Sequence, residues 1–201
     1  MAHQAKHPII IGITGNIGSG KSTVAQLLRA WGYPVLDLDL LAERARENKK
    51  EELRRLFPEA FRGGVLDRRA LGRLVFADPE RLRALEDLLH PEIRRLLEEE
   101  LARLEAPLVF LEIPLLFEKG WEGRVDATLL VAAPWEERLR RVVARSGLSP
   151  EEVLARERAQ MPEAEKRRRA TWVVENAGSL EDLERALGEV LADIRARFGV
   201  R

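Results

Sequence analysis

The first apolar run, residues 9–14, is β-branched almost throughout and ends in a cluster of glycines. Beyond Ser22 the apolar residues Val24, Leu27, Leu28 and Trp31 recur at helical spacing. A short continuous apolar run that yields to a 3.6-residue period across a glycine-rich junction predicts strand, loop and helix. Gly32 ends that helix. Residues 34–38 read as a second short strand, which leads through Asp39 into a helix beginning near Leu41. Two strands joined by a helix form a parallel βαβ unit.

Residues 48–105 differ in being helical in pattern almost throughout, with helix starts at Asp67, at Asp78 before Pro79, and at His90 before Pro91. They read as a helical insertion. Strand-like runs return at 108–113 and 125–132, with helices after Pro134 and after the Ser149-Pro150 pair; a last strand at 172–175 precedes a helix capped by Ser179. The expectation is an α/β chain, a parallel sheet covered by helices on both faces, forming a single domain over residues 1–201. In such sheets ligands bind beyond the carboxyl ends of the strands.

Composition narrows the function classes. The 201 residues are 45% hydrophobic, enough for one substantial core, and Lys plus Arg balance Asp plus Glu at 34 each. Neither nucleic acid nor a membrane surface is expected as a partner, and a monomer is expected. The lack of cysteine excludes disulfides, thiolate metal sites and cysteine nucleophiles. The polar start, followed by an apolar run too short for a signal peptide, points to the cytoplasm. His3, His7 and His90 have no metal-ligand spacing.

The glycine cluster carries the chemistry. Gly15, Gly20, Lys21 and Ser22 fit the pattern Gly-x-x-x-x-Gly-Lys-Ser/Thr between a predicted strand and a predicted helix. In that setting the backbone N–H groups of Gly15, Asn16, Ile17, Gly18, Ser19, Gly20, Lys21, Ser22 and Thr23 can close around the phosphates of ATP, aided by the partial positive charge of the helix N-terminus. Lys21 would reach the β- and γ-phosphates and Ser22 would offer its hydroxyl to Mg²⁺. Three uses of the nucleotide remain: a small-molecule kinase, a nucleotide-binding switch, or the ATPase module of a larger machine. The guanine-selecting sequence Asn-Lys-x-Asp is missing and no partner-binding segment is recognisable, so the kinase reading leads.

A kinase also needs a carboxylate for the proton of the attacking hydroxyl. Asp37 and Asp39 are two apart at the end of the second strand, so both project from one face if the chain stays extended; either could instead cap the next helix. Glu112 follows the apolar residues 108–111, where a strand-end acid can hold Mg²⁺ or simply pair with an arginine. Arg138, Arg140, Arg141 and Arg145 cluster after Pro134, either as a solvated helix face or as groups that close over a transferring phosphoryl. Arg141 and Arg145, four apart, share one side of a helix.

In order and spacing these residues resemble the dephospho-coenzyme A kinase family over nearly the whole chain. The likeness rests on residues 14–23, on Asp37-Leu38-Asp39, on Leu66-Asp67-Arg68 with Leu71 and Phe76, and on His90-Pro91. It continues through residues 113–118, Arg141 and Arg145, Gln160, and Asn176 with Gly178. The resemblance implies a P-loop kinase that uses ATP and Mg²⁺ to phosphorylate the ribose 3′-hydroxyl of dephospho-coenzyme A, the last step of coenzyme A synthesis. A nucleoside or nucleotide kinase is the alternative. It further implies that Asp39 is the catalytic base and that Asp37, Arg68 and His90 meet the substrate, the last two from a coenzyme-binding insertion at 48–105. Arg141 and Arg145 would belong to a lid at 140–165, and Asn176 would lie near the adenine or serve an ordinary turn. The chain departs from the family pattern at Asn16, where glycine is common, and at Glu112 and Thr171, where aspartate is common.

Overall fold

The computed structural model describes residues 7–201, so His3 lies outside the described residues. It divides into two compact units, one made of the chain up to Asp37 together with Glu105–Arg201, the other of Leu38–Leu104.

The first unit is built on five parallel strands: β1 (Ile9–Thr14), β2 (Val35–Asp37), then β5 (Leu108–Glu112), β6 (Ala127–Ala132) and β7 (Trp172–Glu175), in the order β2-β5-β1-β6-β7. All six residues of β6 are buried and β1 is nearly so, the continuous apolar reading of strands covered on both faces. Helices α1 (Lys21–Ala30) and α9 (Leu180–Phe198) bring Val24, Leu28, Leu183, Leu187 and Ile194 onto Ile11, Ile13, Phe110, Leu129 and Val131 in one cluster. Ser179 caps α9 through a box with Asp182, as its position predicts. Three helices connect β6 to β7: α6 (Trp135–Ser146), α7 (Pro150–Arg158) and α8 (Glu163–Arg169). The last of these is absent from the sequence reading.

Thr171 has a structural part at the mouth of β7. Its hydroxyl accepts from the Thr128 amide at 3.1 Å while the Thr128 hydroxyl accepts from the Thr171 amide at 3.0 Å, a reciprocal pair joining the two strand starts.

The second unit contains α2 (Leu38–Asn48), α3 (Lys50–Leu56), a hairpin of β3 (Phe61–Arg62) and β4 (Val65–Leu66), α4 (Arg68–Ala77) and α5 (Pro79–Leu104). The sequence expectation placed the insertion at 48–105; this unit begins at Leu38. Asp67 caps α4 by accepting from the Arg69 and Ala70 amides, and Asp78 accepts from those of Glu80 and Arg81. Two expectations are corrected. The expectation of an almost wholly helical insertion omits the hairpin, although Gly63 and Gly64, with φ of 57° and 80°, are the pair a two-residue turn of that hand demands. His90-Pro91 does not start a helix: Pro91 lies inside the 26-residue α5. The missing N–H forfeits one bond, but buried Leu89, Ile93, Leu96, Leu97 and Leu101 continue one apolar stripe past it. Among the described residues no helix is long and apolar enough to cross a membrane.

Candidate active site

The motif residues leave the end of β1 and enter α1 as a loop. Gly20 caps α1 in a left-handed conformation with φ of 97°, no side chain satisfies the first amides, and the first turn carries no acid. An uncapped helix start of this kind offers its N–H groups and partial positive charge to an anion. A Cβ at Gly20 would run into the Asn176 side chain, and one at Gly18, whose φ is 78°, would stand 2.6 Å from the Arg138 carbonyl. Lys21 lies back over the loop, its Nζ donating to the Gly15 carbonyl at 2.6 Å.

A cavity of about 480 Å³ opens on this loop, lined by Gly18, Gly20, Ser22, Thr23, Arg141, Arg145 and Asn176 among others. Arg141 is anchored at both terminal guanidinium nitrogens, donating to the Gly18 carbonyl at 3.3 Å and the Asn176 carbonyl at 2.5 Å. Asn176, just past β7, donates its amide to the Ser19 carbonyl at 2.9 Å. Its side chain therefore buttresses the phosphate loop. Arg145, one turn beyond Arg141, lines the cavity with no bond to any described residue in α6 or the loop.

The other arginines of α6 diverge. Arg140 faces outward and pairs with Glu137. Arg138 is buried, with its guanidinium on both carboxylate oxygens of Glu157 at 2.7 and 3.0 Å, on the Ala133 carbonyl at 3.0 Å and on the Ile17 carbonyl at 3.3 Å. Asn16 is fully buried and donates to Glu157 at 3.0 Å and to the Met161 carbonyl at 3.1 Å. Its φ is not positive, so the reason for Asn here is its side chain and not a left-handed backbone. Gln160 accepts from the Ile17 amide at 2.9 Å. Sequence reasoning did not find Glu157, because pairing across |i−j| of 141 with Asn16 leaves no local signal.

Asp37 and Glu112, the last residues of β2 and β5, are register partners on adjacent parallel strands. Register partners point to the same face of a sheet, so two carboxylates stand side by side at its carboxyl edge. The pairing of Asp37 with Asp39 on one extended face is corrected: β2 stops at Asp37 and α2 begins at Leu38, so Asp39 sits in the first turn of a helix. Among the described residues no group of three or more His, Cys, Asp or Glu forms a metal cluster.

In the second unit Asp39, Glu43 and Arg46 share one face of α2. Glu43, Arg46, Lys50 and Arg68 line a cavity of about 190 Å³ with an apolar side of Leu53, Phe61, Val65 and Leu66. Burial, and then the neighbouring Arg68 charge, lower the Arg46 pKa, with Glu43 and Asp39 opposing. Arg68 lies 3.9 Å from Glu43 with both side chains largely exposed, a weak pair that leaves the guanidinium available. His90, half-buried on α5, is not among the residues lining this cavity. Arg46 escaped the sequence reading because its common face with Asp39 appears only once α2 starts at Leu38, and Lys50 because it opens the separate helix α3.

Residues 9–182 match a family model described as dephospho-CoA kinase. A dephospho-CoA kinase of Thermus thermophilus is 82% identical over 194 residues, covering 96% of this chain and 96% of its own. A crystal structure of a Thermus thermophilus protein superposes with a TM-score of 0.88 at 82% identity over 94% of this chain and 99% of that one. The structure of a dephospho-CoA kinase from Campylobacter jejuni does so with a TM-score of 0.68 at 29% identity, over 92% and 96% of the two chains.

Proposed function

Because this chain belongs to the dephospho-CoA kinase family, and so catalyses the ATP-dependent phosphorylation of dephospho-CoA to CoA, we propose which of its residues carry each part of the reaction. The observation that supports the assignment best is the cavity in which an uncapped helix start, Ser22, Thr23, Arg141 and Arg145 converge. The loop amides and Lys21 hold the ATP phosphates. Arg141, already fixed to the loop, and Arg145 beside it in the cavity take up charge on the transferring group.

The acceptor's 3′-hydroxyl oxygen attacks the γ-phosphorus; that P–O bond forms as the bond to the β,γ-bridging oxygen breaks, and ADP leaves with the electron pair. Asp39 accepts the hydroxyl proton. Arg46 and Arg68 hold anionic groups of dephospho-CoA above an apolar wall that suits its aliphatic arm. Asp37, Glu112 and the Ser22 hydroxyl are hard oxygen donors, fitting a Mg²⁺ that keeps waters and phosphate oxygens as its other ligands. When bound, that ion supplies charge neutralisation on the β- and γ-phosphates.

The test is ADP release with Mg-ATP against a panel containing dephospho-CoA, nucleosides and nucleotides. Turnover on dephospho-CoA, lost in Asp39→Asn, is expected. Turnover on nucleosides alone would overturn the acceptor assignment.

A further inference from the structure

We propose that Glu157 is a positioning residue for ATP, holding the phosphate loop in its nucleotide-receiving shape through Asn16 and Arg138. The proposal rests on that loop being the ATP site, and not on the identity of the acceptor.

Glu157 sits in the last turn of α7, and its side chain is 18% exposed while that of Arg138 is 4% exposed. One carboxylate ties two consecutive loop residues. It accepts from Asn16 directly, and it grips Arg138, which in turn holds the Ile17 carbonyl. Gln160, just past the end of α7, takes the Ile17 amide, so both polar groups of that peptide are fastened from the same side. Neither Asn16 nor Ile17 lines the ATP cavity, which places the whole attachment behind the loop.

The charges here are balanced locally. Glu163 stands 3.4 Å from the Arg138 Nε, and fully buried Lys166 stands 3.0 Å from Glu118. Burial works to raise the Glu157 pKa, but hydrogen bonds from Arg138 and Asn16, with the Arg138 and Lys166 charges, bring it below the ordinary value. Glu157, bound through both of its oxygens, is therefore the principal anion that keeps Arg138 beside the loop, with Glu163 the more distant second. Without that charge the guanidinium is under-compensated in a buried site and must shift, drawing the Ile17 carbonyl with it. Backbone amides bind phosphate only in a converging arrangement, so a displacement of about 1 Å is enough to cost roughly 10²-fold in such a site.

ATP affinity is measured by calorimetry without acceptor on the wild type, Glu157→Gln, Asn16→Ala and the double variant, alongside melting temperature. Glu157→Gln is expected to weaken ATP binding by about 10-fold or more, within the scale set by a displaced site. Asn16→Ala, which leaves the Arg138 pair intact but also removes the bond to the Met161 carbonyl, weakens it in the same direction, and the double variant loses less than the sum of the two because they share the Glu157 link. A lower melting temperature with unchanged ATP affinity in the folded protein would show Glu157 to be a stabilising residue only, and fully additive losses would equally overturn the proposal. Should Glu157→Gln not fold, unchanged affinity in Asn16→Ala alone overturns it. Lys21→Ala separates the underlying reading: wild-type ATP affinity there would remove the loop from the ATP site.

Discussion

Arg138 and Arg145 lie two turns apart on one helix and are chemically identical, yet their surroundings assign them opposite consequences. Arg138 is enclosed by Glu157, Ala133 and Ile17, so Arg138→Met leaves the half-buried Glu157 carboxylate without its ion-pair partner and with only the Asn16 hydrogen bond. That change is expected to cost about 3 kcal/mol, a fall of roughly 6–12 °C in Tm for a chain of this size. Arg145→Ala is expected to melt close to wild type while turnover falls on the order of 10²-fold, the scale of losing one donor to a transition-state oxygen. Equal losses of stability and turnover at Arg145 would make it a structural residue. Asp39→Asn keeps the size of the side chain and its ability to accept from helix amides but removes its basicity. Turnover should drop on the order of 10²–10⁴-fold, with ATP affinity and Tm held; full activity in that variant removes Asp39 from the proton transfer.

Helix α5 carries two features that can be tested as properties of an element. Pro91 lies in its interior, where a proline has no N–H to give the carbonyl four residues back and its ring crowds that carbonyl. After the gain in unfolded-chain entropy is set against it, Pro91→Ala should stabilise by about 1–2 kcal/mol, and Tm should rise by a few degrees. An unchanged or lower Tm would mean that the neighbouring turns have absorbed the defect. One residue on, Glu92 joins α5 to the end of α2. It accepts from Arg95 at 2.6 and 3.1 Å and from Asn48 at 2.9 Å. Hydrogen bonds from Arg95, then from Asn48, hold its carboxyl at about 2, below the ordinary 4.5. Because the folded pKa is the lower one, the stabilisation is complete above pH 4.5 and is lost as the pH falls toward about 2. Glu92→Gln should flatten that part of the acid limb in a Tm-against-pH series, and an unaltered slope would show that other carboxylates dominate it.

For the whole molecule, ATP at about 100 times its Kd should add about 2.7 kcal/mol to stability, a rise of roughly 5–11 °C in Tm, and Lys21→Ala should lose most of that rise; a full ATP shift in the variant would deny the lysine its phosphate contact. The five strands of the parallel sheet, most of the helices between them and the phosphate loop were legible in the chain, since each rests on residues close together in sequence, whereas α8 and the short hairpin of β3 and β4 were not. Residues 9–14 and 172–175 were placed as strands at their observed bounds because continuous apolar runs between glycines or turns leave few alternatives. Caps at Asp67, Asp78 and Ser179 were readable for the same local reason. Tertiary structure alone decided the rest. It set α2 beginning at Leu38, which carried Asp39 off the strand and put Arg46 on its face. It carried α5 through Pro91, since a buried stripe outweighs one forfeited hydrogen bond. It also assigned Arg138 to Glu157 and left Arg145 to the cavity, because which charge is neutralised depends on groups far apart in the chain that only folding brings within a few ångströms.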